Sequence, residues 1–307
     1  MKKITGAITA IVTPFQKNGD IDVSALKNFV QFQIENGING IVPCGSTGEA
    51  ATMTNDEYAL VVKTVAQEVA GEVPVIAGAG SNNTQKAIEF SHLAKKAGAD
   101  VLLHVTPFYN KPTLNGLIAH YKAIAEAVNM PILLYNVPGR TGLNVTDEMT
   151  LTIAKKVPQV IGVKEASGDI IQMMNIIKNA PSYFSVLSGD DALTFPLLSL
   201  GGDGIISVVS NEVPEEFSKF VSTALSGDFA KARKMHYQLL DLMNINFIET
   251  NPQPVKTALA MMGKMQEVFR LPLVPMSDSN KQLLKEVLEQ YGLMPNSTSQ
   301  QLFQSYK

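Results

Sequence analysis

Two kinds of stretch follow one another along the first two thirds of the chain. Short, nearly continuous apolar runs rich in β-branched residues predict strands that are buried on both faces. Longer stretches with apolar residues three and four positions apart predict amphipathic helices. The runs predicted as strands are 6–14, 40–45, 73–79, 100–106, 131–137, 160–164, 184–188 and 204–209.

A helical stretch lies between each strand and the next, at 23–36, 55–70, 84–97, 114–128, 146–156, 170–179 and 192–199. Such alternation is typical of an α/β protein with parallel strands and right-handed crossovers. Eight units of this kind predict a closed (β/α)8 barrel, the TIM barrel. A doubly wound open sheet is the alternative, but no Gly-x-Gly-x-x-Gly motif opens the first unit.

The pattern changes after residue 209, where only helices are predicted, at 214–225, 229–248, 254–262 and 279–291. We interpret the first of them as the last barrel helix. The predicted domains are therefore a catalytic barrel at 1–225 and a small C-terminal helical domain at 226–307. The polar tail at 296–307 is expected to fray.

Composition narrows the possible partners. The chain has 307 residues, a net charge of −3 and no long basic run, which disfavours a nucleic-acid partner. No apolar stretch approaches the roughly 20 residues that span a bilayer. The N-terminal apolar run is interrupted by Thr and Gly residues, so we interpret it as a strand rather than a signal peptide. A single cysteine, Cys44, allows no internal disulfide and indicates a reducing, cytoplasmic location.

Lys164 lies at the end of the sixth predicted strand, directly after the apolar run 160–163. Active sites of barrels lie at the carboxyl ends of the strands. A desolvated lysine amine loses part of its preference for the charged form and can act as a nucleophile. The structural alternative is a strand-end lysine whose amine reaches water or pairs with a carboxylate. The stretch alone favours that alternative.

The ends of two further predicted strands carry polar groups. Ser46 and Thr47 stand between glycines in a turn that predicts either a carboxylate-binding nest or a helix cap. Tyr135 is either a proton carrier or a core tyrosine with a satisfied hydroxyl. Arg140, on a predicted loop at the mouth of the barrel, is either a clamp for a substrate carboxylate or a surface arginine. Taken singly, the turn supports both interpretations equally, whereas Tyr135 and Arg140 favour the structural one.

Their joint placement on one face of the barrel changes this balance. Lysine, tyrosine, a hydroxyl-rich turn and arginine together predict an enzyme that forms an imine with a keto acid. The turn would hold the carboxylate and the tyrosine would move protons. Asp190 and Asp191 suggest a metal site, which we reject because adjacent strand residues face opposite sides and no His or Glu follows at ligand spacing.

Three motifs occur in the order and spacing of a known family: Gly-Ser-Thr-Gly-Glu at 45–49, Tyr-Asn-Val-Pro at 135–138 and Gly-Val-Lys-Glu-Ala at 162–166. They resemble the pyruvate-dependent class I aldolases of the dihydrodipicolinate synthase and N-acetylneuraminate lyase type. The resemblance covers nearly the whole chain. The segments that resemble the synthase branch are 139–142, 188–191 and 249–256.

The resemblance implies condensation of pyruvate with L-aspartate 4-semialdehyde, without a cofactor or metal. The product would be 4-hydroxy-tetrahydrodipicolinate, on the route to diaminopimelate and lysine. By this resemblance Lys164 forms the pyruvate imine. Tyr135, Ser46 and Tyr109 relay protons, and Tyr109 reaches in from a neighbouring subunit. The implied assembly is a homotetramer, a dimer of dimers.

The resemblance also implies substrate-binding residues. Backbone N–H groups of Ser46 and Thr47 would hold the pyruvate carboxylate, and Arg140 would receive the carboxylate of the semialdehyde. A backbone carbonyl of Ile206 is expected near the imine, and Gly189 is expected among the residues that bind substrate.

Two departures from the family pattern bear on function. Ser46 stands where synthases usually carry threonine, which keeps a hydroxyl but is more typical of the lyase branch. The positions that match the feedback site for lysine are Asn55, Tyr58, Lys86 and Phe108. Lys86 replaces an acid there and would repel the ligand's ammonium group. We therefore predict weak or no inhibition by lysine.

Two other functions remain open on sequence grounds. One is an N-acetylneuraminate lyase or an aldolase for a 2-keto-3-deoxy sugar acid, which would need several hydroxyl-binding groups instead of the Arg140 clamp. The other is a barrel that binds small acids without chemistry, which would have no use for both Lys164 and Tyr135.

Overall fold

A computed structural model describes residues 3–295, and the tail predicted to fray lies outside this range. The parallel strands are β1 (Gly6–Ala10), β2 (Gly40–Val42), β3 (Ile76–Gly78), β4 (Val101–Val105), β5 (Ile132–Asn136), β6 (Val160–Glu165), β7 (Ser185–Ser188) and β8 (Gly204–Ser207). Their hydrogen-bonded order is β2-β1-β8-β7-β6-β5-β4-β3. A parallel bridge between Ile41 and Val75 brings the two ends of the sheet together. The predicted (β/α)8 barrel is confirmed.

The helices are α1 (Val23–Glu35), α2 (Asn55–Val69), α3 (Thr84–Ala97), α4 (Leu114–Val128), α5 (Pro138–Thr141), α6 (Asp147–Lys156), α7 (Ile170–Asn179), α8 (Thr194–Ser199), α9 (Pro214–Leu225), α10 (Phe229–Ile245), α11 (Gln253–Met261) and α12 (Asp278–Gln290). Single 3-10 turns lie at Ala50–Thr52 and Val209–Asn211. Helices α10 to α12 confirm the helices predicted after the barrel. The division into domains between residues 225 and 226 stays a prediction.

The buried apolar side chains form two groups. The larger group fills the layer between the strands and the surrounding helices. The smaller group fills the inside of the barrel and comes from alternate strand positions: Ile8, Ala10, Val42, Ile76, Val101, Leu103, Leu133, Tyr135, Val137, Ile161, Leu187 and Ile206. This filling makes the barrel a solid platform that supports the groups at its carboxyl end. No helix within residues 3–295 is long and apolar enough to cross a membrane.

Several predicted strands are shorter in the structure. The first was predicted to reach residue 14, but β1 ends at Ala10. Beyond it, the N–H of Val12 bonds to the side chain of Asn211 (3.2 Å), and the Thr13 hydroxyl donates to the Gly48 carbonyl (2.8 Å). The apolar run therefore continues into a loop that is buried by tertiary contacts. The predicted helix at 229–248 likewise ends early, at Ile245.

Candidate active site

Lys164 points into the barrel because β6 carries one extra residue. Ile132 of β5 pairs with Val160, but its neighbour Leu133 pairs with Gly162, which leaves Ile161 as a β-bulge. Successive strand residues face opposite sides, so the bulge allows both Ile161 and Lys164 to face inward. A Cβ at Gly162 would lie 2.6 Å from the Ser185 carbonyl oxygen, so only glycine fits there.

Lys164 and Tyr135 lie opposite each other on neighbouring strands. The Lys164 Nζ atom is 4.4 Å from the centre of the Tyr135 ring. The lysine side chain is only 6% exposed. Burial lowers the pKa of Lys164 to about 8, and the positive charge of Arg140 adds to this, although the carboxyl group of Asp191 opposes it. A larger fraction of this amine is therefore uncharged near neutral pH than of an ordinary lysine.

Tyr135 is buried, and burial raises its pKa to about 12 while the charge of Arg140 lowers it. Its hydroxyl therefore keeps its proton and is suited to donate it to a developing oxygen anion. Within residues 3–295, neither this hydroxyl nor the Lys164 amine has a protein hydrogen-bond partner. Both groups face the cavity with their hydrogen-bonding capacity unused.

Gly189 provides the space that the Lys164 side chain occupies. A Cβ at Gly189 would lie 3.1 Å from Cε and Cγ of Lys164 and 2.7 Å from the Cβ of Ala166. The neighbouring residue of the lysine, Glu165, faces the other way and accepts hydrogen bonds from Asn136, Gln172 and the Ser167 backbone. These bonds anchor the end of β6 beside the lysine.

The turn at residues 45–49 offers two free backbone donors. The N–H groups of Gly48 and Glu49 bond back to earlier carbonyls of the same turn, each at 3.1 Å. The N–H groups of Ser46 and Thr47 have no acceptor in the part of the chain that the structure describes. Adjacent free N–H groups form an anion-binding nest. The turn can therefore hold a carboxylate beside Lys164.

Arg140 lies at the mouth of the site. The sequence suggested a loop, but the structure places Arg140 in α5, a single helical turn that Pro138 begins. Proline is favoured at the first helical position because its fixed φ suits the helix and its missing N–H would be unpaired there. The guanidinium is exposed and donates one hydrogen bond, from Nη2 to the carbonyl of Asn251 (3.2 Å). Its remaining N–H groups are available to a substrate carboxylate.

These groups share one cavity of about 800 Å³. The predicted site residues that line it are Ser46, Thr47, Tyr135, Arg140, Lys164 and Gly189. Two other predicted site residues, Tyr109 and Ile206, do not line it. Tyr109 has a positive φ of 70° and is 90% exposed in the single chain. Ile206 belongs to the side chains that fill the barrel interior, where it pairs with Ile8.

The cavity extends outward to the residues at which the sequence suggested a lysine site. Asn55, Tyr58, Lys86 and Phe108 all line it. The sequence interpretation missed Glu89, which lies one helical turn after Lys86 and accepts a hydrogen bond from Asn55 (2.5 Å). The spacing of Lys86 and Glu89 on a predicted helix was a signal that could have revealed it.

The sequence interpretation also missed Asn251, although this residue lies within a segment that resembled the synthase branch. Its side-chain amide donates to the Thr47 hydroxyl (2.9 Å), and its carbonyl accepts from Arg140. Asn251 thus contacts both proposed carboxylate sites. A separation of 204 residues between Asn251 and Thr47 left no local pattern from which this contact could be predicted.

The two adjacent acids have structural partners. Asp190 accepts hydrogen bonds from the N–H groups of Ala192 and Leu193. Asp191 is buried. It accepts hydrogen bonds from the Ser207 hydroxyl (2.6 Å) and from the backbone N–H groups of the two residues that follow Ser207. These bonds attach the end of β7 to the end of β8.

The comparison with known families agrees with this geometry. A model of the dihydrodipicolinate synthetase family matches residues 3–291. The chain belongs to this family. A 4-hydroxy-tetrahydrodipicolinate synthase from Maridesulfovibrio salexigens is 53% identical, over 94% of this chain and 99% of the relative.

Solved structures of dihydrodipicolinate synthetase family members share the fold. The chloride-inhibited dihydrodipicolinate synthase from Acinetobacter baumannii, solved with pyruvate, is 42% identical with a TM-score of 0.93, covering 95% of this chain and 100% of that one. A dihydrodipicolinate synthase described as a monomeric variant is 45% identical with a TM-score of 0.92, covering 95% and 98%. Both match nearly the full length of this chain.

Proposed function

We propose that the chain is a lyase that acts as a 4-hydroxy-tetrahydrodipicolinate synthase and condenses pyruvate with L-aspartate 4-semialdehyde. One observation carries this proposal. A desolvated lysine, Lys164, shares a cavity with a tyrosine and with a turn that presents two unpaired N–H groups. The names of the relatives and the pyruvate in the Acinetobacter baumannii structure support it.

The first half-reaction uses the inner end of the cavity. The uncharged Lys164 amine attacks the keto carbon of pyruvate, whose carboxylate accepts hydrogen bonds from the N–H groups of Ser46 and Thr47. Tyr135 donates its proton to the former carbonyl oxygen, which leaves as water when the imine forms. The protonated imine then loses a proton from its methyl group to the Tyr135 oxygen, which gives the enamine and restores the tyrosine hydroxyl.

The second half-reaction forms the carbon–carbon bond. The enamine carbon attacks the aldehyde carbon of the semialdehyde, and the aldehyde oxygen takes up a proton that passes through Tyr135, Ser46 and Tyr109. Arg140 holds the carboxylate of the second substrate at the mouth of the cavity. Attack of water, or of the adduct's own amino group, on the imine carbon then breaks the bond to Lys164 and restores the free amine. We propose Gly189 and the carbonyl of Ile206 as further parts of the substrate site.

Borohydride reduction tests the imine directly. With pyruvate present, the reduced protein should gain the mass of one 1-carboxyethyl group on the peptide that contains Lys164. Lys86→Met is a matched control, because Lys86 lines the same cavity but lies outside the proposed imine site. This variant should keep the label on Lys164. An unlabelled wild-type peptide would favour the non-catalytic small-acid-binding barrel.

A substrate comparison then separates the synthase from the related aldolases. Turnover with pyruvate and aspartate semialdehyde is expected, and cleavage of N-acetylneuraminate or a 2-keto-3-deoxy sugar acid is not. The exposed guanidinium of Arg140 favours a short substrate with a second carboxylate. Activity with the sugar acids alone would reverse this assignment.

We also propose that Tyr109 serves the site of a neighbouring subunit, in a homotetramer built as a dimer of dimers. Its 90% exposure and strained backbone in the single chain support this role. Because a relative is described as monomeric, the mass in solution is the deciding measurement. Light scattering should give four chains per particle.

We further propose a cytoplasmic location, which the single buried thiol of Cys44 and the biosynthetic reaction support.

A further inference from the structure

A fully buried ion pair lies directly behind the carboxylate-binding turn. Lys256 of α11 and Glu49, the last residue of the turn, both have side chains that are 0% exposed. The Lys256 Nζ atom lies 2.5 Å from Glu49 Oε1 and also donates to the Val268 carbonyl at 2.7 Å. It lies 4.2 Å from the centre of the Phe15 ring. The other Glu49 oxygen accepts from the Arg270 backbone N–H at 3.3 Å. Both charges are therefore satisfied by protein groups.

Such a pair is a poor source of stability alone. Removing two ions from water is unfavourable, and apolar residues of the same volume often stabilise a fold as well or better. The pair instead determines position, because its short charged contact defines where each partner lies. Glu49 adopts a left-handed backbone conformation, with φ of 56°, that closes the turn. Its own N–H bonds to the Ser46 carbonyl (3.1 Å). The position of Glu49 is therefore coupled to the donors that precede it.

A second contact from the same segment reaches the turn. The Asn251 side chain donates to the Thr47 hydroxyl, while the Asn251 carbonyl accepts from Arg140. Residues 251–256 of the C-terminal part of the chain thus hold the turn at two places, from behind through Lys256 and from the cavity side through Asn251. The barrel strands alone supply neither contact.

We propose that the Lys256–Glu49 pair is a positioning device for the Ser46–Thr47 turn, which makes the C-terminal helical segment part of the pyruvate site. The proposal rests on the proposed function, since it gives the turn a substrate carboxylate to hold. Lys256 and Glu49 touch no substrate and act only through the turn. Their loss should weaken pyruvate binding, whereas the rate at saturating pyruvate should change little.

A double replacement separates positioning from stability. Glu49→Gln or Lys256→Met alone leaves a buried charge without its partner and should lower the thermal midpoint strongly. Combining Glu49→Gln with Lys256→Met removes both charges and should recover most of that midpoint. If the pair positions the turn, the double variant still needs about tenfold more pyruvate for half-maximal borohydride labelling of Lys164, as expected for one weakened charge-assisted hydrogen bond.

A milder variant covers the case in which the double variant does not fold. Glu49→Asp keeps the charge but shortens the side chain by one methylene group, so the ion pair can form only if the turn moves. It should fold, as judged by circular dichroism, and should raise the half-saturating pyruvate concentration several-fold. If the half-saturating pyruvate concentration of this variant equalled that of the wild type, the proposal would be overturned.

Glu57→Gln is the matched control. Glu57 pairs with the Arg270 side chain and ties the C-terminal part to α2, but it does not contact the turn. This variant should lower the thermal midpoint without changing the pyruvate concentration for half-maximal labelling. If Glu57→Gln raised this pyruvate concentration as much as the double variant does, the Lys256–Glu49 pair would be only a structural contact. The same would follow if the double variant were half-labelled at the wild-type pyruvate concentration. Absence of label on wild-type Lys164 would instead refute the proposed function, and this inference with it.

Discussion

The two ends of the cavity are built from different parts of the chain. At the inner end, Lys164 and Tyr135 extend from paired barrel strands and are almost completely removed from water. At the outer end, Arg140, Lys86 and Asn55 lie on helices and are exposed. Burial lowers the pKa of Lys164 toward neutrality and keeps Tyr135 protonated, whereas the outer groups are solvated and suited to recognition. In the proposed function, the inner end would carry the chemistry and the outer end would select the second substrate.

The largest effect should come from removing the inner nucleophile. Lys164→Ala should lower turnover by about three orders of magnitude or more and abolish borohydride labelling. The fold should persist, because the amine has no protein hydrogen-bond partner among residues 3–295 and its burial is itself unfavourable. Turnover, labelling and thermal midpoint together test this. A variant that keeps wild-type turnover would remove the imine from the mechanism.

The second largest effect should come from the inner proton carrier. Tyr135→Phe keeps the ring that lies beside Lys164 but removes the hydroxyl. We expect kcat to fall by about 10²- to 10⁴-fold, which is the usual contribution of a positioned acid or base. Steady-state kinetics should show little change in the KM for pyruvate. Unchanged kcat would mean that another group carries the proton.

The outer end should respond in binding rather than in rate. Arg140→Ala should raise the KM for the semialdehyde by about 10- to 100-fold, because a charge-assisted contact to its carboxylate is lost. The half-saturating pyruvate concentration in the labelling experiment should change little. Arg140→Lys is the control and should recover part of the affinity. A loss confined to kcat would assign Arg140 to the inner chemistry and would contradict the proposed division between the two ends of the cavity.

The two ends are coupled electrostatically, and pH can reveal the coupling. Imine formation needs the uncharged Lys164 amine, so its rate should rise with pH and level off above about 8. The positive charge of Arg140 contributes to lowering this pKa. Arg140→Ala should therefore move the inflection to higher pH, while Arg140→Lys should leave it in place. Labelling rates across a pH series measure this, and equal inflections in all three proteins would contradict the coupling.

The smallest effect is expected from free lysine at the outer end. At the predicted lysine site, the positive charge of Lys86 would repel the ammonium group of a lysine ligand, although Glu89 adds an acid to the same cavity wall. We expect weak or no inhibition in a steady-state assay. Lys86→Glu should increase any inhibition. Inhibition of the wild type at sub-millimolar lysine would show that Glu89 dominates this region.

The periodicity of the chain was enough to predict the barrel, because local propensity and burial on two faces determine each strand and helix. Helices α3, α4, α7 and α9 begin and end at the predicted residues. The strand ends were less accurate. After Ala10 the chain stays apolar, but the hydrogen bonds of Val12 and Thr13 go to loop residues far along the sequence. Apolar composition reports burial and does not distinguish a strand from a buried loop.

The sequence by itself determined that Lys164, Tyr135 and the Ser46–Thr47 turn stand at strand ends, since the order of units in a barrel places all such ends on one face. Only the tertiary structure decided that Lys164 turns inward, through the Ile161 bulge. It also brought Asn251 and other C-terminal residues against the turn. These features depend on pairing register and on contacts between residues about 200 positions apart. Local periodicity reveals neither the register nor these long-range contacts, because both arise only when the barrel closes and the C-terminal helices pack against it.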